Sequence, residues 1–238
     1  MFLADLKTFD LPPDRKYTFL VSIGSLEQHG PYAPLGTDTF IHDALLQQVN
    51  VSVPNIIFLP TIPIGASEVQ LGFFGSISFK EETVYSIVND IVKSISSYAS
   101  SILFVSWHGG NKPVFDRLIK ENQSHFSEIK LIHISFGDES TDLLAKQLIE
   151  GELDDHAGNT EVAMMLALRP DITKQPAEGS QKKAIKSFSW DKPILSVTSE
   201  GIIDANPNWK ATSQIGKELI DIYAKNLVRK IKGLNIGV

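Results

Sequence analysis

The chain has 238 residues, 42% of them hydrophobic and 21% charged, a length and balance that permit a sizeable buried core. A formal net charge of -6 with no basic patch argues against a nucleic-acid surface, and Lys182-Lys183 is read as solvated surface. The absence of cysteine excludes disulfide frameworks and thiolate metal sites and is compatible with a reducing compartment. Asp5 and Lys7 interrupt what would have to be a signal segment, and no apolar run approaches the ~18–20 residues needed to span a bilayer, so a soluble cytoplasmic protein is expected.

Short apolar runs at Thr18–Ile23, Ile56–Leu59, Ile102–Trp107 and Leu131–Phe136 predict strands covered on both faces. Between them lie helical patterns. One follows Asp38, with Phe40, Ile41, Leu45 and Val49 as its apolar members, and the clearest runs from Glu81 to Tyr98. A third starts at Asn111, which can cap it, with Lys112 and Pro113 in the first turn. A fourth covers Asn159–Leu168 before Arg169-Pro170, and the last runs from about Gly216 to Ile231. Residues 171 to 210 are rich in Ser, Lys, Pro and Gly with poor periodicity, either a mobile loop over a site or a small excursion containing strands. Strands alternating with helices predict an α/β fold with a mostly parallel central sheet and helices on both faces, and no linker or repeat divides residues 1–238, which are read as one domain.

Ligands of an open parallel sheet sit beyond the carboxyl ends of its strands, and the notable polar residues fall there. In SLEQHG, Glu27 and His29 stand two apart after the first strand and point to the same side. Asp38 follows at the start of the next helix, and His108 opens HGGN after the strand ILFVSW. Such oxygen and nitrogen donors suit zinc, manganese or ferrous iron. An Asp carboxylate can bridge two cations about 3.5–4 Å apart, which would lower the pKa of a shared water. His42, one helical turn after Asp38, is read as exposed or pocket-lining rather than as a ligand, and His125 and His133 as structural. In DDHAGNTE, His156 precedes a helix and Glu161 begins it, where a carboxylate compensates the helix dipole as readily as it ligates.

SIGSLEQHGPYAPLGTD at 22–38, WHGGN at 107–111 and DHAGNTE at 155–161 together resemble the creatininase family of metal-dependent amidohydrolases, and GASEVQLGFFGSIS at 65–78 is similar to that family's loop before a glycine-rich turn. The resemblance runs from about residue 18 to 169. It implies a three-layer α/β/α fold, a pair of divalent metal ions (zinc first, manganese or iron as alternatives) and a homo-oligomer, often a hexamer. By resemblance, Glu27 and His108 hold one metal, His29 helps hold the other and Asp38 bridges them, while His156 handles protons beside the scissile amide. Ser67 matches a substrate-contacting serine, and Gly109 and Asn111 join it as substrate-binding candidates.

The departures are specific. Gly110 stands where creatininases carry a metal-binding glutamate, and Glu161 is expected to fill that vacancy. Gly109 replaces a tyrosine, Glu152 and Leu153 replace aromatic residues upstream of the HAG histidine, and Val69 and Gln70 stand where relatives commonly carry a carboxylate and a histidine. Creatinine is therefore not the expected substrate. A non-peptide or cyclic amide is expected, with two alternatives among HGGN relatives, a formylaminopyrimidine nucleotide deformylase of flavin and deazaflavin synthesis and a precursor-peptide peptidase. The non-enzyme alternative is a structural or regulatory metal-binding protein.

Overall fold

The structure, a computed structural model, describes residues 1–234 and 236. Four strands, β1 (Tyr17–Ser22), β2 (Ile56–Phe58), β3 (Ala99–Val105) and β4 (Lys130–His133), form one parallel sheet in the order β2-β1-β3-β4. Among the described residues six α-helices accompany them: α1 (Thr37–Ser52), α2 (Glu81–Ile95), α3 (Lys112–Asn122), α4 (Glu139–Leu148), α5 (Asn159–Leu168) and α6 (Ser213–Gly233).

Side-chain alternation along the strands builds two cores, one on each face of the sheet. Leu20, Leu103 and Val105 meet residues of α1, α4, α5 and α6 on one side. Phe19, Val21, Ile102 and Phe104 meet Val84, Val88 and Val92 of α2 and Val114, Phe115 and Leu118 of α3 on the other. Each such fully buried Leu or Phe stabilises the fold by about 1.5–3 kcal/mol. The expected three-layer α/β/α architecture is the one observed. Helix α5 is buried from Asn159 to Leu166, so its polar first turn lies inside the protein.

Several local expectations change. β3 and β4 end at Val105 and His133, and α2 ends at Ile95 rather than Tyr98. Helix α4 has no counterpart in the sequence reading, because its pattern misleads: Leu143 and Leu144 are exposed, whereas Thr141 and Ala145 are buried. Its N-terminus is fixed by Asp138, whose side chain accepts from the Thr141 amide at 3.1 Å. Asn111 does not cap α3. It sits in a short 3-10 turn, Gly109–Asn111, and its side chain reaches back to the Gly24 carbonyl (3.0 Å), Ser106 Oγ (3.1 Å) and the Ala66 amide (3.0 Å).

His42 is neither exposed nor pocket-lining. It is fully buried in the α1 interior, edge-on to Phe136, and burial pushes its pKa down to about 3 against weaker pulls from Asp38 and the Ile23 carbonyl. Lys182 is also not solvated surface; it is buried with Nζ 3.1 Å from Asp204. Residues 171 to 210 follow turns and one 3-10 segment, Ile194–Ser196, with the isolated bridges His156↔Ile203 and Gln181↔Asn208 as their only β pairing among the described residues. No helix is long and apolar enough to cross a membrane among the described residues.

Candidate metal centre

The parallel sheet delivers two chain segments to one end of β1 and β3. Glu27 and His29 leave β1 in extended conformation, and His108 leaves β3 three residues beyond Val105. Asp38 arrives on the first turn of α1 and Glu161 on the first turn of α5. All five are buried, with Glu27 and His29 at zero exposure. His156, also buried, lies beside them with its ring 4.5 Å from that of His29.

The spacings are informative. His108 Nδ1 stands 3.3 Å from Glu27 Oε1 and 3.6 Å from Asp38 Oδ2. His29 Nε2 stands 3.5 Å from Asp38 Oδ2 and 3.6 Å from Glu161 Oε2. Ligands each ~2.0–2.2 Å from one tetrahedral ion lie about 3.4 Å apart, whereas a charge-assisted hydrogen bond closes to ~2.7–2.9 Å. The donors therefore surround positions rather than pair with one another. Two groups of three result, Glu27–Asp38–His108 and His29–Asp38–Glu161, with Asp38 in both. A third, Glu27–His29–His156, includes the proton-handling candidate.

The imidazoles are oriented for this. A carbonyl cannot donate, so His108 Nε2, 2.8 Å from the Ala66 carbonyl, carries the hydrogen and leaves the Nδ1 lone pair facing Glu27 and Asp38. His29 Nδ1, 3.1 Å from the Glu27 carbonyl, does the same and aims Nε2 at Asp38 and Glu161. His29 Nε2 and Glu27 Oε2 are buried with no hydrogen-bond partner. Orphaned atoms of this kind cost about 1–3 kcal/mol or more each unless something fills the space between them. Buried lone pairs facing buried carboxylate oxygens fit divalent cations.

Protonation follows the same crowding. Burial raises Glu27, with Asp38 adding to the shift and the two imidazoles opposing it. Burial likewise lifts Glu161 to about 7, helped by Asp38 and opposed by His29. Burial works against charge on His29 and His108, but the surrounding carboxylates outweigh it and raise both. The carboxylates thus favour positive charge at the positions their neighbours surround. His156 is the exception: burial, reinforced by His29, holds it well below an ordinary histidine.

Residues the sequence reading overlooked hold these groups in place. Trp107 Nε1 donates to Glu161 Oε1 at 2.9 Å, and the Ala157 amide donates to Oε2 at 2.7 Å. Ala157 does so from a left-handed conformation, φ +56°, uncommon outside glycine and found where a site constrains the chain. Ser25 Oγ donates to Asp38 Oδ2. His156 Nε2 lies 2.8 Å from the Gln28 carbonyl, with the amides of Gln28 and Gln70 at 2.8 and 3.0 Å, and its Nδ1 faces Glu27 Oε1 at 3.6 Å. Gln28 lies inside the motif itself, where simple alternation points it away from Glu27 and His29, yet its side chain reaches His156 and its Oε1 accepts from the Gly30 amide at 2.9 Å.

A cavity of about 500 Å³ opens onto Glu27, Asp38, His108, His156 and Glu161, with Trp107, Gly109 and Trp190 in its walls. Ser67 is buried, its Oγ 3.4 Å from His108 Nε2, while Asn111 braces the loop from behind and does not line the cavity. At Gly110 a side chain would meet the Ala66 carbonyl at 2.2 Å, so no ligand can come from there; the Glu161 carboxylate stands with His29 and Asp38 instead. Glu152 pairs with Lys146 (2.6 Å) and Leu153 packs on the core, so neither lines the cavity.

The sequence profile of the creatininase family (creatinine amidohydrolase) matches residues 5–231. A mycofactocin precursor peptide peptidase of Mycobacterium tuberculosis is 28% identical over 92% of this chain and 86% of its own. Its counterpart in Mycobacterium ulcerans is 28% identical over 65% of this chain, which spans about 60% of that relative's length. A creatinine amidohydrolase of Pseudomonas putida is 24% identical over 78% of this chain and 87% of its own. Among solved structures, a creatininase superposes with a TM-score of 0.78 at 18% identity over 98% of this chain and 96% of that one. A manganese form of creatininase does so at 0.76 with 18% identity, covering 98% and 97%. The chain belongs to the creatininase family of hydrolases.

Proposed function

We propose that this protein is a metal-dependent amidohydrolase that cleaves a carbon–nitrogen amide bond with the help of two divalent cations. The observation carrying this reading is the pair of orphaned buried atoms, Glu27 Oε2 and His29 Nε2, within donor groups spaced for cations rather than for hydrogen bonds. Glu27, His108 and Asp38 would hold one ion, and His29, Asp38 and Glu161 the other. Solved creatininases in manganese and Zn–Zn forms make those metals, with iron, the first candidates. When bound, such ions lower the pKa of water toward neutrality and polarise a carbonyl.

The chain's own groups do the rest. Trp107 and the Ala157 amide hold Glu161, and the carbonyls of Glu27 and Ala66 hold the two ligand imidazoles. His156, kept neutral by burial, takes a proton at Nδ1 as water oxygen bonds to the amide carbon, then returns it to the departing nitrogen as the C–N bond breaks. Such transfer commonly contributes ~10²–10⁴ in rate. Gly109 borders the substrate, while Ser67 is buried beside His108 Nε2 and outside the cavity wall, and Asn111 supports the loop that carries it. Residues 1–238 act as one metallohydrolase domain, homo-oligomeric and cytoplasmic in this reading.

Non-peptide or cyclic amides remain the first substrate class, creatinine excepted, since Glu152 and Leu153 leave no aromatic box upstream of His156. A second reading, a peptidase acting on a precursor peptide, is favoured by the mycobacterial relatives bearing that name. Elemental analysis of the purified protein and a panel of cyclic amides, short peptides and the formylaminopyrimidine nucleotide test both. We expect bound divalent metal, hydrolysis of one class, and loss of both in His108→Ala; full turnover by that variant would overturn the metal centre. Formate release from the nucleotide would assign the deformylase instead.

A further inference from the structure

A second cavity, about 280 Å³, lies on the far side of Trp107, lined by Ser106, His133, Ser135, Phe136, Asp142 and Tyr223. It shares Trp107, His108, Gly109 and Lys112 with the cavity over the metal centre. The two cavities therefore meet along Trp107, His108, Gly109 and Lys112. The Trp107 ring is pinned, its Nε1 donating to Glu161 and its faces and edges packed against Tyr223 and Phe136 at centroid distances of 5.0 and 5.8 Å.

Gly109 is the glycine common to both linings. It is exposed, and a Cβ built there meets nothing within 4 Å. Its φ lies outside the left-handed region, so its conformation does not require glycine. Gly110 differs, because a Cβ there would strike the Ala66 carbonyl at 2.2 Å. Neither packing nor backbone geometry explains glycine at 109. Gly109 lines both cavities, so a side chain there would stand at their junction.

We propose that the two cavities form one two-lobed substrate cleft bridged over Gly109, so that the enzyme takes an extended, peptide-length amide whose chain continues from the metal centre into the Ser135–Asp142 lobe. This inference rests on the hydrolase reading above and selects its peptide branch. In the second lobe's lining, the Tyr223 hydroxyl and the Asp142 carboxylate are the polar groups a peptide backbone could meet, while the Ser106 and Ser135 hydroxyls and His133 Nδ1 already bond the Ile23, His108 and Gly137 carbonyls and Asp116. A compact cyclic amide would fill the first lobe alone, since about 500 Å³ already falls within the range of whole small-molecule sites.

The chain has no cysteine, so Ser135→Cys creates a single reporter thiol in the second lobe. The probes, applied to the metal-loaded protein as isolated, are a randomised N-acetyl hexapeptide amide library and N-acetylglycinamide. We expect the library at millimolar concentration to slow iodoacetamide alkylation of the thiol by 5-fold or more and the small amide to leave it unchanged. Adding Gly109→Phe should abolish that protection while leaving metal content and the unprotected alkylation rate intact. Equal protection by both probes, protection by neither, or protection that survives Gly109→Phe would overturn the two-lobed cleft. The hydrolase reading fails separately, through absence of bound metal or of amide turnover.

Discussion

Two buried charge clusters meet at the N-terminus of α5, and they solve opposite problems. On one side Asp204 is saturated: Oδ2 accepts from the Asn159 amide (3.1 Å), Asn159 Nδ2 (3.2 Å) and Lys182 Nζ (3.1 Å), and Oδ1 from the Asn206 amide (2.7 Å). Asp154 beside it accepts from the amides of Gly158 (3.0 Å) and Thr160 (2.6 Å). On the other side, Glu27, His29, Asp38, His108 and Glu161 face one another across 3.3 to 3.6 Å, with Glu27 Oε2 and His29 Nε2 left without partners. Burying charge is tolerable only when it is paired or hydrogen-bonded. The first cluster meets that condition with its own atoms and ties residues 171–210 to α5; the second leaves buried atoms unpartnered, which is the condition the proposed cations would meet.

The strongest way to break this contrast is to disable the self-sufficient cluster. Asp204→Ala leaves Lys182 buried without its carboxylate and should cost about 3–5 kcal/mol in denaturant unfolding. Metal content and turnover per folded molecule should stay at the wild-type level. Loss of the metal in that variant would show that the two clusters are one unit.

Chelation attacks the opposite member. Each ion at about 100-fold over its Kd stabilises the native state by roughly 2.7 kcal/mol. Chelation should therefore lower the Tm of a chain this size by roughly 5–10 °C for each ion removed, and Asp38→Asn should make the remaining Tm indifferent to chelator. A chelator-insensitive wild type would place the second cluster with the first, as self-sufficient.

The smallest effect concerns His42, which is buried but belongs to neither cluster. Its folded pKa of about 3 lies below the unfolded value, so below pH ~6.5 the unfolded chain binds a proton that the folded chain refuses. Stability is thus lost as pH falls from about 6.5 toward 3, by about 1.4 kcal/mol at about pH 5.5. In metal-free protein, His42→Leu should remove that part of the acid slope, read from urea unfolding at about pH 7.5 and 5.5. An unchanged slope would mean that His42 is already paired in the folded state.

Much of the molecule is legible in its sequence because burial leaves a local mark. Strands covered on both faces are short apolar runs, so β1 through β4 can be located, though β3 and β4 stop before the polar positions Ser106 and Ser135. Helices α2 and α5 show their spacing or their stop signal at Arg169-Pro170, whereas α4 hides because its leucines face outward. The donor types in SLEQHG, HGGN and DHAGNTE are equally plain, since few buried roles call for carboxylate and imidazole together.

The sequence by itself determined which donor atoms are available and that a parallel sheet would gather them at one end, because periodicity and residue chemistry are local properties. Only the tertiary structure decided that His29 faces Glu161, that Trp107 and the Ala157 amide hold that carboxylate, that Asn111 braces a loop instead of capping a helix, and that Lys182 is buried against Asp204. Those outcomes depend on which lone pairs remain unsatisfied after the chain has crossed over itself. No short stretch of residues encodes that remainder.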